Sequence, residues 1–118
     1  MADRRVERLG GLRDAMAGAG SDGFLVTSLP NVSYLTGFTG SSGFVLATAE
    51  RALFLTDSRY QTQSKEEVEG YEVVIQKGKW TDEVAALVRE AGIKKLSFEG
   101  RALTFDTHAA LSKALEGV

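Results

Sequence analysis

Cysteine is absent from this 118-residue chain, and histidine and proline each occur only once. Without cysteine there can be no disulfide framework and no thiolate metal site, which agrees with a cytoplasmic protein. The single histidine, His108, has no second histidine or carboxylate at helical spacing, so we expect it to lie on the surface and bind no metal. Disulfide-rich and zinc-finger classes are thereby excluded.

Clustered charge of one sign is missing as well. The chain has 14 Lys and Arg against 16 Asp and Glu, and its formal net charge is −2. Nucleic acids and anionic membranes attract clustered basic residues, so neither is an expected partner. The amino-terminal segment MADRRVERLGGLRDAMAG has no long apolar run and therefore predicts neither a signal peptide nor a membrane span. The length fits one domain without an internal boundary, residues 1–118, and we expect it in the cytoplasm.

Alternating apolar patterns are what the chain does contain. Short apolar runs between turn residues predict five strands, at 24–27, 44–47, 52–55, 71–75 and 95–99. Apolar spacing of three to four residues and turn signals predict helices at 2–19, 32–36, 57–68, 81–92 and 105–115. The four-residue link 48–51 is the right length for a β-hairpin. Together these elements predict an α/β domain whose mixed five-stranded sheet has helices on both faces.

The helix starts can be assigned to particular residues. Pro30 lacks an N–H and is expected to end the first strand and to keep Leu29 out of the α region. Asn31 is then expected to cap a short helix that Gly37 closes. Thr81 is expected to cap the later helix. Trp80 is either a staple over the start of this helix, which we favour, or an exposed anchor.

Residues 37–43, GFTGSSG, form a glycine-rich segment ahead of the second strand. Glycine lets backbone amides approach an anion, so a free-standing nucleotide-binding or anion-binding module is one interpretation. The segment matches neither GxxxxGK[ST] nor GxGxxG, and it leads into a strand where phosphate loops lead into a helix. We favour a tight bend in which Gly37, Gly40 and Gly43 are structural, and the anion site stays as the alternative.

The motif Asp57-Ser58-Arg59-Tyr60 follows a buried strand and opens a helix. Ligands often bind at this position in open α/β sheets. Asp57 suits a helix cap, while the planar guanidinium of Arg59 suits a carboxylate and Tyr60 offers a ring face and a hydroxyl. A structural ion pair for Arg59 is an equally good interpretation. The carboxylates of the polar helix that follows, Glu66, Glu67 and Glu69, are interpreted as a solvated face.

Three motifs in one order resemble a known family. The motifs NVSYLTGF at 31–38, GSSG at 40–43 and TDSRY at 56–60 with Gln63 resemble the N-terminal domain of the Xaa-Pro aminopeptidase, prolidase and creatinase family. In that family N-(V/I)-x-Y-L-(T/S)-G-F, a glycine-serine bend and T-D-G-R-Y-x-x-Q-A recur. Ser58 and Ser64 stand here where Gly and Ala are usual. The resemblance covers essentially the whole chain.

The resemblance implies a ribonuclease-H-like, three-layer α/β/α domain with one antiparallel hairpin strand and no catalytic residue or metal site of its own. It also implies that the parent is an Xaa-Pro metallopeptidase with a separate pita-bread catalytic domain that binds two Mn, Co or Zn ions. Because Val118 falls about where that domain would begin, we expect this chain to be the N-terminal domain alone. The implied partners are its own catalytic domain, a second subunit in a homodimer and a proline-containing peptide.

The resemblance also assigns roles to individual residues. Substrate-side or interface roles carry over to Tyr34, Phe38, Arg59 and Tyr60. Structural roles within the motifs go to Asn31, Gly37, Gly40, Gly43 and Asp57. A creatinase-like or inactive parent stays open as an alternative.

Overall fold

A computed structural model describes residues 4–68 and 70–98, together with Lys113 and Leu115. The helix that the sequence predicts over 105–115, including His108, otherwise lies outside these residues. The described elements, in chain order, are α1 (Arg4–Gly18), β1 (Gly23–Val26), α2 (Leu29–Thr36), β2 (Phe44–Ala47), β3 (Ala52–Thr56), a 3₁₀ turn (Ser58–Tyr60), α3 (Gln61–Glu67), β4 (Glu72–Ile75), α4 (Trp80–Glu90) and β5 (Leu96–Phe98).

The described strands form a five-stranded sheet in the order β4-β3-β2-β1-β5. The central strand β2 runs antiparallel to both β1 and β3, whereas β1 is parallel to β5 and β3 is parallel to β4. The β2–β3 hairpin closes with a hydrogen bond from the Thr48 amide to the Arg51 carbonyl. The α/β class, the mixed sheet and the single antiparallel strand that the sequence predicts are therefore confirmed.

Both faces of the sheet are covered by helices, because successive side chains of a strand point to opposite faces. In β3, Leu53 and Leu55 belong to the core cluster that contains Val84 and Val88 of α4. Phe54, between them, belongs to the cluster beneath α1, α2 and the end of α3. These contacts give the expected three layers.

Helix α2 begins earlier than the sequence predicts. Its first residue is Leu29 and its N-cap is Ser28, whose carbonyl accepts a hydrogen bond of 2.8 Å from the Val32 amide. The predictions that Asn31 is the cap and that Leu29 stays outside the helix are both wrong. Pro30 falls in the first turn, where its missing N–H would have no intrahelical partner, so it opens the helix without penalty.

The other end of α2 agrees with the sequence. Gly37 adopts a left-handed conformation, φ 82°, and its amide donates to the Ser33 carbonyl at 2.8 Å. This left-handed backbone conformation would strain any residue that has a Cβ, so glycine suits the position.

Helix α4 also begins before its predicted cap. It starts at Trp80, with Lys79 as the N-cap residue, and Thr81 is buried in the first turn. The assignment of Thr81 as the cap is therefore wrong. The Trp80 ring stacks on Phe44 of β2, with centroids 4.3 Å apart and planes 12° from parallel, so it fastens α4 to the sheet rather than forming a staple within the helix.

Candidate functional site

The candidate site lies at one end of the sheet, where β3 ends and β2 begins. Because β2 and β3 are antiparallel, Phe44 pairs with Leu55, and the chain that precedes Phe44 lies beside the chain that follows β3. The segment 37–43 reaches this end of the sheet ahead of β2, and the segment 57–60 leaves it after β3. The second and third sequence motifs therefore come together in space.

Asp57 and Arg59 form a two-point ion pair at this end of the sheet. The Arg59 guanidinium donates from Nε to Oδ1 of Asp57 at 2.9 Å and from Nη2 to Oδ2 at 2.8 Å. Oδ1 also accepts the Arg59 amide at 3.0 Å, so Asp57 caps the 3₁₀ turn, as its position in the sequence indicates. These bonds, the side-chain bond above all, hold the pKa of the Asp57 carboxyl below its ordinary value.

The geometry still leaves the Arg59 cation accessible. Its side chain is 68% exposed while that of Asp57 is 20% exposed. Two guanidinium nitrogens are occupied by the carboxylate, and Nη1 stays available for a further acceptor. The structural ion pair and the ligand contact, which the sequence offers as competing interpretations, are thus compatible.

The Tyr60 hydroxyl is held by Ser41 of the bend. It accepts the Ser41 amide at 3.2 Å and also contacts the Ser41 hydroxyl. The Tyr60 ring meets Phe38 edge-on, with centroids 5.3 Å apart and an angle of 89°. The two bonds from Ser41, with a smaller contribution from the nearby Arg59 cation, lower the pKa of the Tyr60 hydroxyl.

Gly40 and Gly43 let the bend pass close over aromatic rings. A Cβ on Gly40 would lie 2.3 Å from Cζ of Phe38 and 2.8 Å from Cε1 of Tyr60. A Cβ on Gly43 would lie 2.8 Å from Cε1 of Phe54. Neither ring could yield freely, because Phe38 and Phe54 are buried against each other. These two glycines therefore serve the close packing of the bend.

Several amides of the bend already have acceptors within the chain, which counts against the nucleotide-binding or anion-binding alternative. The Thr39 amide donates to Oε1 of Glu67 at 2.9 Å, and the Ser41 amide donates to Tyr60. An internal carboxylate thus accepts one of the amides that a bound phosphate would use. The same contacts from Thr39, aided by Gln63, lower the pKa of Glu67.

The four residues with substrate-side or interface roles do not form one surface. Phe38 is only 1% exposed and lies in the core, so its ring has no surface of its own to offer a ligand. Tyr34 is 57% exposed on α2, and the Arg8 guanidinium lies 4.0 Å above its ring. The accessible part of the site at this end of the sheet is therefore Arg59 and Tyr60.

The sequence does not indicate the network around Glu67. Glu67 and Gln63 lie one helical turn apart on α3 and converge on the Thr39 hydroxyl, which donates to Glu67 and accepts from Gln63. Gln63 also donates to Glu67. The signal available was the absence of an apolar stripe in α3, but such a face is equally consistent with simple solvation. Identifying Thr39 as the partner requires the fold.

Among the described residues, no three or more His, Cys, Asp or Glu side chains are grouped so that they could hold a metal ion. The carboxylates nearest the site are engaged, Asp57 by Arg59 and Glu67 by Thr39. Within the same part of the chain, no helix has both the length and the apolar character needed to cross a membrane.

Fold and motifs together define an α/β/α domain of the kind that the three motifs suggest. Residues 8–118 match the creatinase/prolidase N-terminal domain family. The chain belongs to this family.

Individual relatives agree with the assignment. The chain is 40% identical over 104 residues to the uncharacterised peptidase YqhT of Bacillus subtilis strain 168. The aligned region covers 88% of this chain and 30% of YqhT. It is 41% identical to an Xaa-Pro dipeptidase from Bacillus anthracis, with a TM-score of 0.92, covering 96% of this chain and 32% of that one. A third relative is the N-terminal domain of the cytoplasmic peptidase PepQ from Mycobacterium tuberculosis H37Rv, with 39% identity, a TM-score of 0.83 and coverage of 98% and 88%. The chain thus spans about a third of the first two relatives.

Proposed function

We propose that this chain is the non-catalytic N-terminal domain of a cytoplasmic Xaa-Pro metallopeptidase, in which it contributes to dimerisation and borders the substrate site. Family membership and the likeness to an Xaa-Pro dipeptidase support the parent activity. The two divalent metal ions and the cleavage chemistry would belong to a separate catalytic domain. The observation that carries the substrate-side role is the exposed, preoriented Arg59.

Arg59 is suited to bind a carboxylate of a peptide. Asp57 fixes two of its nitrogens, so the guanidinium loses little further freedom when a ligand arrives. A charge-assisted bond from Nη1 would contribute about 1.5–3 kcal/mol. The neighbouring Tyr60 ring, with its centroid 5.2 Å from the guanidinium carbon, adds an apolar flank for a peptide side chain.

Tyr34 suits the proposed contact between subunits or domains. An exposed aromatic ring with a basic residue over its face combines apolar area with directional charge, a combination enriched in protein interfaces. Arg8 fixes this arrangement, because its Nη1 also donates to the Tyr34 carbonyl at 2.7 Å. In this proposal Tyr34 and Arg59 serve different contacts of the same domain.

The decisive experiment is Arg59→Ala in the full-length peptidase that carries this domain. Loss of one charge-assisted bond to the substrate should lower kcat/KM for an Xaa-Pro peptide by about 10- to 100-fold. Arg59→Lys should recover only part of it, because an ammonium cannot keep the two-point pair and still present a further donor in the same geometry. The matched control is Lys94→Ala, because Lys94 is an exposed cation at the opposite end of the sheet, just before β5.

An unchanged kcat/KM in Arg59→Ala would remove Arg59 from the substrate site. The non-catalytic assignment has its own test on the 118-residue chain. Supplied with Mn²⁺ or Co²⁺, this chain is expected to leave an Xaa-Pro peptide intact. Hydrolysis by the purified chain would show that the assignment is wrong.

A further inference from the structure

The bend residues Thr39, Ser41 and Ser42 are each fastened by a side chain from a single later segment, residues 56–67. Thr56 donates its hydroxyl to the Ser42 carbonyl at 2.6 Å. Tyr60 accepts the Ser41 amide. Glu67 accepts the Thr39 amide and, with its second oxygen, the Thr39 hydroxyl at 2.9 Å. No regular secondary structure is needed to give this bend a defined path.

These fastenings differ in how they depend on the core. Thr56 is fully buried within β3, so its bond is set by the sheet. Tyr60 is held through its ring contact with Phe38. Glu67 lies at the far end of α3, about 10 Å along a helix from Tyr60, and is partly exposed. Its attachment to the bend is therefore the one that a local change can release.

Glu67 is well prepared for this attachment. Gln63, one turn earlier on α3, donates its amide to Oε1 of Glu67 at 3.1 Å and to the Thr39 hydroxyl at 3.1 Å. The carboxylate therefore receives donors from both its own helix and the bend. Bonds to an ionised acceptor are the stronger kind, and the backbone bond from Thr39 is the largest cause of the lowered pKa of Glu67.

The bend is short enough for a tie at one end to act on the other. Only Gly40 separates Thr39 from Ser41, and it is wedged against the rings of Phe38 and Tyr60. Displacing Thr39 would therefore displace the Ser41 amide relative to the Tyr60 hydroxyl. We propose that Glu67 is a positioning residue, which holds the bend on α3 and thereby keeps Ser41 on Tyr60.

For a substrate, the consequence rests on the proposed function, because Tyr60 borders the substrate only if that proposal holds. The coupling itself does not. It can be measured on the 118-residue chain without substrate, whereas the role of Arg59 is measured by turnover in the full-length enzyme. Either proposal can therefore fail alone.

The test compares Glu67→Ala and Glu67→Gln with the control Glu66→Ala, an exposed carboxylate next to it on α3. Amide hydrogen exchange at Thr39 and Ser41 reports the bend, and NMR titration of the Tyr60 ring reports the hydroxyl. In Glu67→Ala we expect exchange to rise at least tenfold at both amides and the Tyr60 pKa to return towards its ordinary value. Glu67→Gln keeps one acceptor oxygen but loses the charge and the second acceptor, so it should change both signals less than Glu67→Ala does. Glu66→Ala should preserve both signals.

Faster exchange at Thr39 with unchanged exchange at Ser41 and an unchanged Tyr60 titration would overturn the proposal, since Glu67 would then hold only its direct partner. Thr39→Ala is a second variant that leaves Glu67 in place. It removes the hydroxyl contacts and should give the same two changes at smaller size. Absence of any change at Ser41 and Tyr60 in this variant, in a folded chain, would count against the coupling in the same way.

Discussion

Replacing Gly40 by alanine gives the most direct test of the packing at the candidate site. The added Cβ would approach Cζ and Cε2 of Phe38 to 2.3 and 2.7 Å and Cε1 of Tyr60 to 2.8 Å. All three distances are below the range of real Cβ contacts, so a ring or the backbone must shift. The Phe38 ring has little room to move, because Phe38 is 1% exposed and its ring centroid lies 4.8 Å from that of Phe54.

The size of the effect follows from two opposing contributions. Overpacking in a well-packed site costs about 1–3 kcal/mol. Alanine also restricts the unfolded chain, which offsets about 0.4–1 kcal/mol where the native backbone accepts it, and Gly40 does not have a positive φ. The net expectation for Gly40→Ala is a loss of about 1–2 kcal/mol in the free energy of unfolding. For a chain of this size that corresponds to a Tm lower by roughly 4–12 °C.

Urea unfolding followed by fluorescence is a suitable assay, because Trp80 is the single tryptophan and stacks on Phe44, with both rings partly buried against the core. Gly78→Ala is the matched control, since a Cβ there has no atom within 4 Å and its φ is not positive. The control should be neutral or slightly more stable. If Gly40→Ala were as stable as Gly78→Ala with an unchanged m-value, the rings would not confine the bend and the packing argument would be refuted.

Two further predictions concern polar contacts that hold the sheet. Asp22 accepts the backbone amides of Lys94 and of the next residue, and these bonds lower the pKa of its carboxyl. The stability that the ionised Asp22 contributes to the fold is therefore fully present above the unfolded pKa, near 4, and is lost as the pH falls through the folded pKa. Asp22→Asn should therefore be less stable than the parent in urea unfolding at pH 7, and a gap that did not narrow below about pH 4 would contradict this. Thr56→Val removes the hydroxyl that donates to the Ser42 carbonyl and should lower the free energy of unfolding by about 1–3 kcal/mol. The control Thr62→Val, at an exposed position, should change the free energy of unfolding little in the same assay. Equal values for the two variants would show that the bond to Ser42 contributes nothing to stability.

The sheet could be predicted because its strands are short apolar runs with turns on both sides. The second strand occupies the predicted residues, 44–47, and the third extends one residue further, to Thr56. Burial on both faces makes such runs continuously apolar, which distinguishes them from the surrounding helices. The hairpin at the predicted link, 48–51, is also present.

The helix starts could not be predicted with the same success, because tertiary contacts choose between neighbouring candidates. Ser28 and Asn31 are both good N-cap residues, and they lie on either side of Pro30. The sequence predicts a break at Pro30, although the first turn of a helix accepts proline. In α4, the start at Trp80 accompanies a ring contact with Phe44, far away in sequence. A local rule contains no information about that contact.

The candidate site divides in the same way. Asp57 and Arg59 are two residues apart, so both the cap and the ion pair could be anticipated from their chemistry. The bonds of the bend join residues 14 to 28 positions apart, from Thr56 with Ser42 to Glu67 with Thr39. Nothing in a linear sequence specifies which of several polar side chains would meet the bend.

The parallel pairing of β1 with β5 affects how the domain can form during synthesis. Asp22 and Lys95, which are joined by a hydrogen bond at the start of this pair, are 73 residues apart in the chain. Until residues 96–98 have been made and have docked, β1 is an unpaired edge of a four-stranded sheet, although Leu25 within it is fully buried in the finished fold. Unpaired apolar edges promote aggregation. We therefore expect a chain that stops before Leu96 to leave this apolar edge open and to aggregate more readily than a chain that contains β5.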